Sequence, residues 1–265
     1  MRLNARRALD SPLVCGVIGV VALLSAAEAA GRLGLISTVQ FPLTSTVLLE
    51  AAGLAADPAF LADVATTFGG WALGLLATVA VAVPLGLLLG SVPPIEAALR
   101  PVIEFLRPIP SVAIIPLATF MFSGRLDLKV AVILYASTWP ILINTVYGLR
   151  EVDPVAKETL RTFGFGPLSV LWRVSLPSTA PFIATGVRVA AAIALILAIS
   201  TELLSSGAGG IGNFIVLAES SPEGLRMQVA AIVWAGLLGL VTNGVFVWGE
   251  RRIFRWHTAR TGATQ

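Results

Sequence analysis

Residues Phe68 to Val92 contain no charged side chain, and that run excludes most of the ways a chain can fold. A helix needs about 20 mostly apolar residues to cross a hydrocarbon core. In lipid the backbone must satisfy its own polar groups, so such a run becomes a spanning helix. Five further runs qualify or nearly do. Leu13 to Ala30 follows a basic start, while Val130 to Leu149 and Met227 to Gly249 are free of charge. Ser178 to Leu204 is apolar except for Arg188 and Glu202. Pro108 to Gly124 is short and holds Pro108, Pro110 and Pro116, so it spans only if its helix begins near Arg100 and is kinked or broken. The bulk composition agrees. Charged residues are 12% of the chain, about half the roughly 25% of soluble domains, and a mean hydropathy of +0.88 leaves too little polar surface to cover a globule. The expected fold is an all-α membrane protein with six transmembrane helices and a short helical loop on the cytoplasmic side.

Lysine and arginine set the orientation, because they are retained on the cytoplasmic face. With both termini inside, thirteen fall on that face, including Arg2, Arg6, Arg7, Arg150, Lys157, Arg161, Arg173, Arg251, Arg252, Arg255 and Arg260. Four, namely Arg32, Arg125, Lys129 and Arg226, fall on the other. The first run reads either as a cleaved signal peptide or as a retained anchor. Glu28 and Arg32 stand where a small-residue cleavage site would be, which favours the anchor. Three regions follow: 1–64 as anchor and external segment, 65–252 as the transmembrane core with a polar loop at 150–177, and 253–265 as a cytoplasmic tail. Val47 to Leu54 within the external segment suits a short surface helix.

Several chemistries lack their residues. The single cysteine, Cys15, cannot form an internal disulfide, and the single histidine, His257, lies in a basic tail, so neither a metal site nor a histidine-based catalytic centre can be assembled. Net charge is +3, which the cytoplasmic bias accounts for without a nucleic-acid partner. Gly207, Gly209 and Gly212 spell G-x-G-x-x-G, but no strand–turn–helix unit surrounds them, so they read as a re-entrant loop near the external mouth. No G-x-x-x-x-G-K-[ST] occurs anywhere, so this chain has no phosphate-cradling loop of its own for ATP.

The loop from Arg150 to Pro177 carries the signal. Asp153 followed by Pro154 predicts a helix start. Gly164 and Gly166 predict its end. Pro167 opens a second short helix, and Pro177 is expected to stop it before the next span. Two short helices joined at a glycine make a knob suited to a protein contact rather than to catalysis.

The loop resembles the cytoplasmic motif of ABC importer permeases, E-A-A-x3-G-x9-I-x-L-P. Glu158, Thr159 and Leu160 are followed after three residues by Gly164, and after nine more by Val174, Leu176 and Pro177. Thr-Leu stands for Ala-Ala and Val for Ile. The resemblance extends to EFLRPIPSVAIIPL (104–117), PILINTVYGLREVDP (140–154), GVRVAAAIAL (186–195) and the stretch from Glu202 to GAGGIGNFI, and its branch is the nitrate/sulfonate/taurine permeases. It implies a coupling loop built on Glu158, Thr159, Leu160, Phe163, Gly164, Leu176 and Pro177, whose first helix sits in a groove of a separate ATPase. In that picture Glu158 makes polar contacts and caps, Gly164 permits the sharp turn, and Pro177 fixes the re-entry. The implied partners are two ATPase subunits carrying ATP and magnesium, a second permease copy, and a periplasmic or lipid-anchored substrate-binding protein, in a bacterial inner membrane. No cofactor is expected in this chain.

A charge at bilayer depth costs at least about 2.5–3.5 kcal/mol, so Arg188 and Glu202 should face a cavity or a partner. Fourteen residues apart, roughly 21 Å along a helix, they do not pair with each other. Arg188 suits a tie to a neighbouring helix or an anion contact, and Glu202 lies near the external mouth. Trp139, Asn144, Ser200 and Thr201 place polar or aromatic groups in spans that line the pathway in the permeases this chain resembles, although packing accounts for Trp139 equally well. Asn144 should at least find a hydrogen bond. The expected function is ATP-driven import of a small anion such as a sulfonate, taurine or nitrate by alternating access. The alternatives are a secondary transporter or channel working without an ATPase, and a membrane enzyme, for which no cluster of catalytic side chains exists.

Overall fold

The computed structural model of the protein describes residues 12–38, 40–205 and 209–254. The basic start with Arg2, Arg6 and Arg7, the glycine Gly207, and the tail with Arg255, His257 and Arg260 lie outside the described residues. Among those described, all regular structure is helical: α1 (Pro12–Arg32), α2 (Thr44–Leu54), α3 (Pro58–Ser91), α4 (Pro93–Leu106), α5 (Ser111–Met121), α6 (Arg125–Arg150), α7 (Pro154–Thr162), α8 (Pro167–Val170), α9 (Leu176–Leu204), α10 (Ile211–Ala218) and α11 (Gly224–Ile253). Among the described residues five helices are long and apolar enough to cross a membrane, and α4 with α5 would make a sixth as one broken span. The break is sharp. The two helices bend by 93° where Pro108 and Pro110 interrupt the backbone donors. Tyr135 donates its hydroxyl to the carbonyl of Leu106 at 2.8 Å, satisfying the end of α4.

The residues cluster into two units. The first comprises α1, α2 and neighbouring chain up to Leu61, together with Phe214–Trp234. Helix α1 buries none of its spanning residues, as expected of a helix solvated by lipid. It is held to α2 by Glu28, which accepts the backbone N–H of Ser45 at 3.0 Å, the Ser45 hydroxyl at 2.8 Å and the Arg32 Nε–H at 2.8 Å. Helix α2 contains the short helix expected over Val47 to Leu54 and begins three residues earlier, at Thr44. Val47, Ala51 and Leu54, at i, i+4 and i+7, are buried as one stripe. Trp234 donates its indole N–H to the carbonyl of Ala51 at 2.9 Å, and its ring meets Phe60, which also packs edge-on against Phe214.

The second unit comprises residues 62–213 and 235–254 of the described chain. Helix α3 has 34 residues, about 51 Å at 1.5 Å per residue, well beyond the hydrocarbon thickness. Its start is set by Asp57, whose carboxylate accepts the N–H of Ala59 at 2.9 Å beside Pro58. The core consists of Trp71, Leu75, Ile115, Ile133, Ile141 and a row of small residues on α9, Ala190, Ala191, Ala194 and Ala198. Small residues let membrane helices approach closely, which is where their packing attraction comes from. At Gly186 a Cβ would lie 3.0 Å from the carbonyl of Pro140, so α6 and α9 are nearly in backbone contact there, and at Gly148 it would lie 2.7 Å from the side chain of Phe182, which packs into the space the glycine leaves. Trp71 adds a hydrogen bond from its indole N–H to the carbonyl of Ala191 at 2.9 Å, joining α3 to α9.

Candidate functional site

The loop between α6 and α9 is built as its spacing predicts at the start. The carboxylate of Asp153 accepts the N–H of Val155 at 2.8 Å, and Pro154 follows at the first helical position. Lys157 reaches back to the carbonyl of Leu149 at 3.1 Å, fixing α7 against the end of α6. Gly164 ends the helix at φ +82°, a conformation L side chains rarely adopt. Gly166 does not share in that ending. Its backbone is extended (φ −69°, ψ 166°), and it precedes Pro167 as the residue before α8.

Pro177 does not stop the second helix. The chain passes from α8 through a π-helical turn, Leu171–Ser175, directly into α9. The cause is local. Proline at 177 has no N–H for the carbonyl four residues back and its ring crowds that carbonyl, which belongs to Arg173 inside the turn, and the wider π turn removes the conflict. Pro167 to Leu204 is therefore one continuous element, and Leu176 and Pro177 lie within it.

Glu158, expected to cap, has no hydrogen bond or ion pair through its carboxylate among the described residues, because Asp153 already caps the helix. Its side chain is exposed, as is that of Thr159, whose hydroxyl bonds back to the carbonyl of Val155 at 2.8 Å. Leu160 is half-buried. Around them stands a set of large uncovered apolar groups: Val155, Phe163, Leu168 and Trp172, with Phe163 77% exposed. Arg173 stacks over the Phe165 ring at 4.7 Å.

The intramembrane charges find partners. Arg188 donates from Nη1 to Glu250 Oε2 on α11 at 2.9 Å, the tie to a neighbouring helix that its position suggests. Beside it, Ala191, Leu195, Ile199, Thr242 and Asn243 line a cavity of about 290 Å³. Glu202 pairs instead with Lys129 on α6, Nζ to Oε1 at 2.6 Å, and the two residues are 1% and 3% exposed. From the sequence Lys129 reads as one of the external cations and Glu202 as a group near an external mouth. Both are enclosed. The overlooked signal is that the two opposite charges sit near the same ends of consecutive antiparallel spans, where only burial as a pair is tolerable. Thr67, Asp63 and Glu250 were also missed, having no motif of their own. Asn144 bonds to the carbonyl of Pro140 at 2.8 Å, Thr201 to that of Leu197, and Ser200 is half-buried. Trp139 stacks edge-on against Tyr135, and its buried indole N–H has no acceptor among the described residues.

Comparison with known proteins follows the same outline. The family of binding-protein-dependent transport system inner membrane components matches residues 82–255. A putative ABC transporter permease protein of Methanocaldococcus jannaschii is 34% identical over 69% of this chain and 68% of its own. A bicarbonate transport system permease protein of Synechocystis is 28% identical over 90% and 86%. A nitrate import permease protein of Leptolyngbya laminosa is 29% identical over 73% and 68%. Among solved structures, a bacterial ABC transporter involved in the import of the acidic polysaccharide alginate has the same fold, with a TM-score of 0.65 over 96% of this chain and 99% of that one at 16% identity.

Proposed function

The chain belongs to the family of binding-protein-dependent transport system inner membrane components, and from that premise we propose that it is the membrane subunit of an ATP-driven importer for a small anion. A second copy completes the pathway, two separate ATPase subunits with ATP and magnesium bind at the 150–177 loop, and a substrate-binding protein delivers cargo from the opposite side. Both termini are then cytoplasmic, in line with the distribution of lysine and arginine. Its resemblance to permeases for bicarbonate and nitrate supports a small anion as the cargo.

The observation that carries this reading is the exposed knob. A nine-residue helix capped at both ends stands off two long packed spans and presents Val155, Phe163, Leu168 and Trp172 to the outside. Large uncovered apolar groups rimmed by Glu158 and Arg161 are the chemistry of a protein–protein contact. A short stiff helix in line with a spanning helix passes force on, which a loose loop does not. Along the pathway we assign roles to Trp139, Asn144, Arg188 and Ser200, while Glu202, 1% exposed, stands behind the wall and meets no cargo. An anion passing Arg188 competes with Glu250 for the guanidinium, which makes the contact weak enough for transit.

The rival reading is a secondary transporter, and the buried Lys129–Glu202 pair favours it, since ionisable groups inside spans serve ion coupling. Uptake into proteoliposomes decides between them. The importer requires a co-purifying ATPase and ATP. Replacing Phe163 with Ser, or Glu158 with Arg, should weaken ATPase binding at least tenfold while leaving the thermal stability of the permease alone unchanged. Uptake driven by a proton or sodium gradient without any ATPase would establish the rival.

A further inference from the structure

The buried carboxylate of Glu202 lies at the far end of α9 from the 150–177 loop, about 39 Å along the helix from Leu176. Besides Lys129 it serves two other groups. Its Oε2 accepts the hydroxyl of Thr67 on α3 at 2.9 Å and the backbone N–H of Gly212 at 3.0 Å. Thr67 in turn accepts the N–H of Ile211 at 2.9 Å, and the carboxylate of Asp63 accepts the N–H of Gly210 at 2.7 Å. Three consecutive backbone donors at the start of α10 are therefore satisfied by side chains from α3 and α9, not by a local cap. Those donors are the ones a helix start leaves unpaired, and the partial positive charge there favours carboxylates. The chain is shaped to the task. Gly209 and Gly210 have φ of +66° and +95°, and a Cβ at Gly210 or Gly212 would run into the Glu202 side chain.

Stability alone is a poor reason for this arrangement, because an apolar replacement for a buried ion pair is often as stable. What leucine or methionine cannot do is hold three N–H groups in a fixed direction. The end that holds them belongs to helices with little room to slip. Gly186 brings α9 nearly into backbone contact with α6, Gly148 seats the Phe182 side chain of α9 against α6, Ser137 bonds to the carbonyl of Ala190 at 3.2 Å, and Gly74 seats Ile133 against α3.

We infer that Glu202, held in place by Lys129, is the fastening through which α3, α6 and α9 carry the start of α10 with them when the 150–177 loop is displaced. Glu202, Lys129 and Thr67 are then positioning residues for coupling and touch no substrate. This rests on the importer reading. It adds to that reading the place where motion of the loop is delivered at the other end of the spans.

The test uses the complete transporter, with its ATPase and binding protein, in proteoliposomes. Cys15→Ser removes the one native cysteine, and Leu217→Cys on α10 serves as a labelling reporter. In the double variant Lys129→Met with Glu202→Leu, which removes both the charge pair and the acceptor, ATP hydrolysis should stay within twofold. Substrate imported per ATP should fall at least tenfold, and the labelling rate should no longer differ between nucleotide-free and vanadate-trapped states. An assembled double variant with an unchanged import ratio and state-dependent labelling overturns the inference. Should the double variant fail to assemble, Thr67→Val decides, since it leaves the ion pair intact. At least a threefold lower import ratio supports the fastening, and an unchanged ratio overturns it. The unsubstituted transporter is the control for the reading beneath. If it neither binds an ATPase nor imports with ATP, that reading fails first and the inference falls with it.

Discussion

Arg188 of α9 and Glu250 of α11 form a hydrogen-bonded ion pair in which one carboxylate oxygen is engaged at 2.9 Å and the other is buried with no donor among the described residues. The pair is only partly shielded, with the arginine side chain 35% exposed and the glutamate 21%. Its worth therefore falls between that of an exposed pair and that of a fully buried one.

Arg188→Ala should cost about 1–3 kcal/mol of stability, between the exposed and buried limits, chiefly by leaving Glu250 without its partner. Replacing both residues by Met should cost less than the sum of the two single replacements. Thermal unfolding in detergent, arranged as a double-mutant cycle, measures the difference. Additive costs would show that the two side chains act independently.

Gly186→Leu should destabilise the protein by about 1–3 kcal/mol, because the larger side chain must push α9 off the backbone of α6 at Pro140 and Ile141. Gly69→Ala is the matched control. Among the described residues nothing lies within 4 Å of the added methyl, and alanine is the better helix former by about 1 kcal/mol, so this replacement should be neutral or slightly stabilising. The same unfolding assay reports both, and equal losses would contradict the close seam.

Asp153→Ala should loosen α7 by about 1 kcal/mol, the usual value of a helix cap, with little effect on global unfolding. A nine-residue helix has no stability of its own to spare. Hydrogen exchange of the amides from Val155 to Leu160 should accelerate several-fold, while those of α9 remain protected. Gly164→Ala, which forces a methyl group into a left-handed conformation at φ +82°, should produce the same pattern at the other end of the helix.

The apolar runs made the spans legible, because lipid allows a long uncharged segment few other fates. The loop was legible too at Asp153, Pro154 and Gly164, where cap and turn chemistry is local and each residue acts on its own backbone. Pro177 misled because proline was weighed as a helix breaker in isolation. Whether it breaks depends on how the preceding turn is wound, and a π turn leaves no mark in composition. Glu202 stood out as an intramembrane charge, but its partner was 73 residues away on another helix, and nothing in spacing along one helix can point across a bundle. Lys129 sits five residues into α6, where a cation looks like a flank until the neighbouring span is known to end beside it. The glycines Gly209 and Gly212 were noticed as a motif, but their use is to let a backbone lie against a carboxylate. That can be read only once the carboxylate has been placed.

The π-helical turn at Leu171–Ser175 also fixes an angle. Each residue of an α-helix advances about 100° around the axis, so one residue taken up by a wider turn resets the azimuth of everything before it relative to everything after. Deleting a single residue there, with Pro177→Ala to relieve the proline, would restore a regular helix and shorten the chain by little. It would also swing Phe163, Leu168 and the rest of the knob about a quarter of the way round the axis of α9, and a partner shaped to the original bearing would find that face turned aside.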